Sequence, residues 1–217
     1  MNVELAAQEV SRIHANVLRM VSALFLAEPS QELLDQLNLD ETWEIIGMFV
    51  APSGYQPLRD LALNKPLTIS DLRQAFHSLF TVPLGAYVFP FESCYRVATP
   101  PGPLMGPPAI EVQSAYAAAG FSVSPELAEP PDHVGLELAF VAELLDQYAT
   151  AQEEADHETA ARVAAQIHSF CSDHLNRWLP ALGSRISESG TSAFYAAVGR
   201  LAADLAKGTV ESLIDPF

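Results

Sequence analysis

Basic residues are scarce in this chain. Lys and Arg number 11 against 27 Asp and Glu, which gives a formal net charge of −16. Proteins that bind nucleic acid neutralise phosphates with Lys and Arg, so this balance argues against a nucleic-acid partner. It argues equally against an anionic membrane surface. The charge favours a basic partner, with a simple solubilising surface as the alternative.

Cysteine is scarce as well, and long apolar runs are absent. Cys94 and Cys171 stand alone without a CxxC motif, which is typical of reduced thiols in a cytosolic protein. No apolar run reaches the roughly 18 residues that a membrane span requires. Glu4 and Glu9 lie where an export signal carries basic and then apolar residues. We therefore expect a cytoplasmic protein with no stable membrane insertion.

The motifs of common enzyme and metal sites are also missing. Gly102 and Gly106 lack the Lys-Ser/Thr of a phosphate loop, and GxGxxG, GxSxG, HExxH and zinc spacings do not occur. Glu154 and His157 form one Glu-x-x-His unit, but a di-iron bundle needs two such units and two further glutamates. We expect a solvated turn there. The sequence predicts no catalytic residue, no metal site and no cofactor.

Helical periodicity dominates what is present. The segment after Pro131 is the clearest case, because two apolar stripes at helical spacing predict a central helix buried on two sides. Ser30 and Ser70 are expected to cap earlier helices, and Pro180 and Gly208 to end later ones. With no long alternating pattern, the chain is predicted to be all-α, a single domain in the form of a helical bundle.

A proline-rich loop is expected to divide the bundle. Residues 83–108 hold seven prolines and three glycines, which exclude long helices. The predicted organisation is therefore N-terminal helices over 1–82, this loop, and a C-terminal helical half over 109–217. The loop also concentrates large aromatic side chains: Tyr87, Phe89, Phe91 and Tyr95. It is either the edge of an apolar groove or a connection whose rings belong to the core.

A compact polar group follows at the predicted start of the central helix. Asp132, His133 and Glu137 lie within a stretch, 97–161, that holds eleven Asp and Glu and no Lys or Arg. His133 and Glu137 are four residues apart, which places them on one helix face. With Asp132 they can bind a guanidinium group. Alternatively, Asp132 is favoured there only by the helix dipole, and an exposed His133 has no further role.

The order of several blocks resembles the TorD/DmsD/NarJ family of cytoplasmic chaperones that mature molybdenum oxidoreductases of the dimethyl sulfoxide reductase type. The resemblance covers roughly residues 70–206. It rests on these segments: Ala75–Phe80, Phe91–Tyr95, Tyr116–Phe121, Pro131–His133, Glu137–Phe140, His174–Pro180 and Phe194–Tyr195. Within the second block, members often carry Trp or Tyr before the serine, where this chain has Phe91-Glu92 before Ser93.

The resemblance implies a non-enzymatic role. Such chaperones are helical and bind the twin-arginine signal peptide, or a neighbouring segment, of a catalytic subunit until its cofactor is inserted. Some relatives exchange domains, so a homodimer is an open alternative. The residues expected to bind the peptide are Asp132, His133 and Glu137 for its arginines, and Phe80, Pro83, Phe91 and Tyr95 for its apolar part. Glu92 and Ser93, in the same segment as Phe91 and Tyr95, are expected to take part in binding as well.

Two other functions remain compatible with the residues. One is a generic helical adaptor subunit with no maturation role. The other is a small all-α enzyme or metal carrier. A gene neighbourhood containing a molybdoenzyme large subunit distinguishes a chaperone from an adaptor, and metal analysis of the purified protein detects the carrier.

Overall fold

The described part of the chain folds into α-helices. A computed structural model of the chain describes residues 6–64, 67–82, 85–123, 127 and 129–214, with side chains as far as Glu211. The helices are α1 (Ala7–Leu26), α2 (Gln31–Leu37), α3 (Asp40–Ile46), α4 (Pro52–Asn64), α5 (Ile69–Phe76), α6 (Pro107–Ala118), α7 (Val134–Glu153), α8 (His157–Phe170), α9 (Asn176–Glu188) and α10 (Ala193–Ile214). Over these described ranges the only β pairing is one isolated bridge. The all-α prediction is confirmed.

Helices α1 and α7 pack against each other at the centre. On α7 the buried side chains lie on two sides, as the two sequence stripes predict. A Cβ atom at Gly135 would overlap the side chain of Leu26, so the glycine allows the first turn of α7 to touch α1. Ser22 Oγ donates a hydrogen bond of 2.6 Å to the Gly135 carbonyl. The core therefore joins helices from before and after the proline-rich loop.

Two wide π-helical turns interrupt the helices. The first, His77–Thr81, follows α5. The second, Cys171–Leu175, lies between α8 and α9 and carries a buried His174. A π turn inserts one extra residue and rotates the side chains that follow, and such turns are frequent at functional sites. The second turn points a histidine towards the start of α7, where the predicted polar group lies.

The predicted helix starts are partly correct. Ser30 caps α2, since its hydroxyl oxygen accepts a hydrogen bond from the Leu33 amide at 3.2 Å. Ser70 does not cap α5; Thr68 does, accepting from the Asp71 amide at 3.1 Å. Two neighbouring hydroxyl residues are equally good caps by type, and the structure uses the earlier one. The central helix begins at Val134 rather than at Pro131.

The predicted helix ends at Pro180 and Gly208 are wrong. Helix α9 continues through Pro180, which lies only four residues after the helix start at Asn176 and directly downstream of the π turn. Trp178, Leu179 and Leu182 are buried on both sides of the proline, and tertiary packing supplies most of the stability of a helix in a protein. Helix α10 continues through Gly208 because the glycine is needed for packing: a Cβ there would overlap the Phe49 carbonyl oxygen.

The connections around α6 and α8 follow the predictions more closely. Pro107 and Pro108 form the first turn of α6, and Gly120 has a φ of 71° just past its end. Residues Glu154 to Asp156 are exposed and join α7 to α8, with Asp156 capping α8. The solvated turn predicted at this Glu-x-x-His unit is confirmed.

Candidate functional site

The proline-rich loop is fixed to the start of α7 by backbone hydrogen bonds. Phe91 and His133 form the antiparallel bridge of the described chain. The Glu92 amide donates to the Asp132 carbonyl at 2.9 Å, and the Val134 amide donates to the Pro90 carbonyl at 2.9 Å. The two sequence segments singled out as a site, 91–95 and 131–133, are therefore in direct contact.

Asp132 is part of this junction and is inaccessible to solvent. Its Oδ2 accepts a hydrogen bond of 2.8 Å from the Ser93 amide. It precedes the helix, since His133 is the N-cap residue. The interpretation of Asp132 as an exposed first-turn acid is wrong. The side chain stabilises the folded loop through a buried, charge-assisted hydrogen bond, and a direct role in peptide binding stays a prediction.

His133 is also buried, contrary to the alternative of an exposed imidazole. Its Nδ1 accepts a hydrogen bond of 3.1 Å from the Gly135 amide and so caps α7. Its ring packs edge-on against Phe91 with a centroid separation of 5.4 Å. Burial lowers the pKa of His133 to about 4, so the imidazole is neutral at neutral pH. The neutral form is the one whose Nδ1 can accept this bond.

Glu137 lies one turn further along α7 and has no solvent exposure. Its Oε2 accepts a hydrogen bond of 3.0 Å from the Trp178 indole nitrogen. Burial raises the pKa of Glu137 well above its usual range, and the charge of Glu92 raises it further. Glu137 is on the predicted helix face, but it meets an indole from α9 and not a guanidinium.

Glu92 is the carboxylate that does bind a guanidinium. It is fully buried, and its Oε1 accepts a hydrogen bond of 2.8 Å from Arg96 Nη1. Its Oε2 lies 2.8 Å from His174 Nδ1 in the second π turn. Glu92 is predicted to bind the partner peptide, and that role stays a prediction. The structure makes it the centre of a polar network.

Several oxygens in this network have no hydrogen-bond partner within the part of the chain that the structure describes. They are Ser93 Oγ, Asp132 Oδ1 and Glu137 Oε1, all buried. Buried polar atoms are nearly always paired in folded proteins, and an exception is a sign of bound water, stored strain or function. Three of them on neighbouring segments make this junction the strongest candidate site in the described structure.

The predicted aromatic surface is divided between two places. Phe80 packs against Phe25, Phe76 and Tyr195. Tyr95 is half-buried and packs against Trp178 with a ring separation of 5.4 Å, beside the polar network. Phe91 is mostly buried, and Pro83 lies outside the described residues. Of the two sequence interpretations of these rings, core packing describes Phe91, and Tyr95 remains a candidate for binding.

An exposed apolar patch borders the same junction. We define it by Leu104, Met105 and Ile110, whose exposed fractions are 49%, 54% and 63%. The patch is adjacent to the network because a Cβ at Gly106 would contact Ser93 Cβ at 3.4 Å. Sequence reasoning missed it, since these residues lie among prolines and belong to no periodic stripe.

A small cleft opens on the other side of the network. Its volume is about 190 Å³, and its walls include Ala115, Phe140, Phe170, Asp173 and His174. A second, larger cleft of about 750 Å³ lies between α9 and α10 and contains none of the predicted site residues. Only the smaller cleft is continuous with the polar network, because both share His174.

Arg96, His174 and Trp178 are site residues that the sequence did not assign. Arg96 lies directly before the base-free stretch, and the other two belong to a block that carries the family resemblance. Arg96 lies four residues after Glu92, but His174 and Trp178 join the site through contacts across 82 and 41 residues of sequence. Local spacing carries no signal for such pairs.

The buried His133 gives a testable pH dependence. Its folded-state pKa of about 4 lies below the unfolded value of 6.5, so unfolding takes up a proton between these values. The free energy of unfolding therefore falls as pH falls, by up to about 1.4 kcal/mol per pH unit from this group. Asparagine can cap the helix without titrating. His133→Asn should flatten this part of the profile, measured by urea unfolding between pH 7 and 4.5. Parallel profiles for the two proteins would contradict the assignment.

Similarity to known proteins identifies the family to which this chain belongs. The protein-family model described as "nitrate reductase delta subunit" matches residues 51–183 of this chain. The chaperone protein TorD of Vibrio cholerae serotype O1 is 30% identical over 200 residues, which cover 92% of this chain and 80% of the relative. The chain belongs to the TorD/NarJ family. The family resemblance inferred from the sequence blocks is thereby confirmed.

Further TorD/NarJ relatives cover similar shares of the chain. The TorD chaperone of Vibrio atlanticus is 28% identical over 194 residues, covering 86% of this chain and 88% of the relative. That of Shewanella pealeana is 24% identical over 215 residues, covering 94% and 91%. These relatives are named as chaperones and not as catalysts, which supports the non-enzymatic assignment.

The described residues also bear on the membrane, metal and thiol predictions. No helix in the described part of the chain is both long and apolar enough to cross a bilayer. Within the described ranges, no three His, Cys, Asp or Glu side chains are grouped so as to hold a metal ion. Cys94 and Cys171 are buried free thiols, and burial raises their pKa to about 11 and about 12. Both thiols are therefore protonated and weakly reactive at neutral pH.

Proposed function

We propose that this protein is a cytoplasmic maturation chaperone for a molybdenum oxidoreductase. It binds the twin-arginine signal peptide, or a neighbouring segment, of the unassembled catalytic subunit and retains that subunit until the cofactor is inserted. Family membership supports the chaperone role. The peptide-binding role is supported by one feature of the structure, the position of exposed apolar side chains on the segment that passes beside the acidic network at Gly106.

The two parts of this surface match the two parts of such a peptide. A twin-arginine signal carries two guanidinium groups and then an apolar stretch. Glu92 already binds one guanidinium, and Glu111 adds an exposed carboxylate at its outer side. The patch of Leu104, Met105 and Ile110 offers apolar area beside these carboxylates. Solvent-exposed apolar side chains grouped next to a polar site are typical of a binding surface.

The predicted residues divide into two roles in this proposal. A ligand can reach the network at the partly exposed Arg96 and Tyr95 side chains, and the buried Glu92 is hydrogen-bonded to Arg96. Asp132, His133 and Glu137 support the binding surface, because their hydrogen bonds fix the loop and α9 to α7. The partner segment is unstructured before binding, so part of the interaction energy is lost in ordering it and the affinity should be moderate.

The test is a comparison of matched signal peptides. A peptide with its arginine pair should bind more tightly than the same peptide with two lysines, because guanidinium groups make bidentate bonds to carboxylates. Both carry the same charge, so the difference isolates hydrogen-bond geometry. Isothermal titration calorimetry measures it. Affinity should also weaken from about 50 to about 500 mM salt as exposed charges are screened. Equal affinities with a flat salt dependence would exclude this mode of recognition.

A further inference from the structure

Arg96 occupies a position that an incoming arginine would take. One nitrogen, Nη1, donates to three acceptors: Glu92 Oε1 at 2.8 Å, Glu111 Oε2 at 3.4 Å and the Asp173 carbonyl at 3.2 Å. The acceptors come from three separate segments: the loop turn, α6 and the second π turn. They converge on a single donor nitrogen, so this point of the structure can hold a cationic hydrogen-bond donor.

The charges around Arg96 are not balanced by it. Glu92 is fully buried and Glu111 is half-exposed. Burial lowers the pKa of Arg96, but the bond to Glu92 and the charges of Glu92 and Glu111 together raise it above its usual value. The site therefore retains a cation strongly, whichever molecule supplies it.

Two features make Arg96 replaceable. First, its described hydrogen bonds all involve one nitrogen, whereas a paired donation by two nitrogens is the stronger mode for a carboxylate. Second, Arg96 lies in an irregular segment between the turn Glu92–Cys94 and α6, and its side chain is 23% exposed. The cleft of about 190 Å³ is lined by Asp173, one of the three acceptors, and by His174, which is bonded to Glu92, so a second side chain has room to approach from this side.

We propose that Glu92, Glu111 and the Asp173 carbonyl form a guanidinium-binding subsite, filled by Arg96 in the free protein and by an arginine of the partner segment in the complex. Arg96 is thus an internal competitor. It keeps the buried Glu92 paired when no partner is present, which avoids an uncompensated charge. This inference rests on the proposed function for the identity of the ligand, and on the contacts alone for the subsite.

An internal competitor lowers the apparent affinity by the fraction of molecules in which the subsite is free. Arg96→Gln should therefore bind the twin-arginine peptide roughly tenfold more tightly, the factor expected if Arg96 fills the subsite about nine tenths of the time. The affinity of the lysine peptide should increase by a smaller factor in the same variant. The matched control is Arg177→Gln, which removes another i, i+4 pair, with Asp173, whose two side chains are 54% and 56% exposed. The control should leave both affinities unchanged.

A second measurement needs no peptide. Arg96→Ala leaves the subsite empty, so about 10 mM ethylguanidinium chloride should raise its melting temperature more than the same concentration of ethylammonium chloride. The expected difference is about 3–6 °C if the ligand is near ten times its dissociation constant. Wild type and Arg177→Ala should show no such preference. If Arg96→Ala does not fold, the same comparison is made with Arg96→Gln, which also removes the cation from the subsite but keeps a polar side chain.

The two measurements separate the subsite from the proposed function. Rescue by ethylguanidinium without any peptide binding would retain the subsite and reject the twin-arginine ligand. Peptide binding that is unchanged or weakened in Arg96→Gln, together with no preference for ethylguanidinium, would reject the subsite and leave the chaperone function standing. Tighter peptide binding together with selective rescue supports both.

Discussion

Replacement of Glu92 by alanine is expected to lower the free energy of unfolding by about 3–5 kcal/mol, as measured when one partner of a buried ion pair is removed. Glu92 has no solvent exposure and its two oxygens lie 2.8 Å from Arg96 Nη1 and His174 Nδ1. Without the carboxylate, a largely buried guanidinium and a buried imidazole lose their common acceptor. Urea unfolding at pH 7 gives the difference.

The matched control is Glu111→Ala, which removes the other carboxylate of the same guanidinium. Glu111 lies 3.4 Å from Arg96 Nη1, and its side chain is 54% exposed. Exposed ion pairs contribute at most about 1 kcal/mol, so this variant should unfold close to wild type. Glu92→Gln should fall between the two, since it keeps the shape and one acceptor. If Glu92→Ala and Glu111→Ala are equally stable, the buried pair does not form in solution.

Local patterns in the sequence predict the helices well where the cause is local. The two apolar stripes of α7, the Ser30 cap and the glycine after α6 are found as predicted. The predictions of helix ends fail where tertiary packing determines whether a helix continues. Gly208 has the residue type of a helix end, but it lies inside α10 because the chain near Phe49 passes too close for a side chain. The residues next to Gly208 in the sequence give no indication of that contact.

The two segments that meet at the candidate site were singled out from the sequence, but the contacts of their side chains were not predictable. Asp132 and His133 are adjacent in sequence, and the family resemblance also pointed to them. A run of carboxylates without bases indicates an exposed acidic field, yet Asp132 and Glu137 lie inside the protein. Their burial depends on Ser93 and Trp178, which are 39 and 41 residues away. The pattern of charges along the chain shows where acidic residues are, but it does not show which of them are buried. Burial depends on the residues from distant parts of the chain that the fold packs against them.

Trp178→Ala should be as destabilising as any single truncation in the core, with an expected loss of about 3–5 kcal/mol. The indole is fully buried, packs against Tyr95 and donates to Glu137 Oε2 at 3.0 Å. Its removal therefore leaves a cavity and also an unpaired carboxyl group. Thermal or urea unfolding measures the total, but only a second substitution separates the two contributions.

A double-mutant cycle with Trp178→Phe and Glu137→Met makes that separation. Trp178→Phe alone leaves the Glu137 acceptor without a donor, which costs about 1–3 kcal/mol beyond the lost volume. With Glu137→Met no acceptor remains, so the double variant should be more stable than the sum of the single losses by a similar amount. Trp43 provides the control, since it is equally buried and donates to the Leu37 carbonyl at 2.9 Å, outside this network. The cost of Trp43→Phe should be the same in the wild-type background and in the Glu137→Met background. Additivity for Trp178→Phe as well would mean that the indole contributes by packing alone, and that Glu137 is held in the core by other contacts.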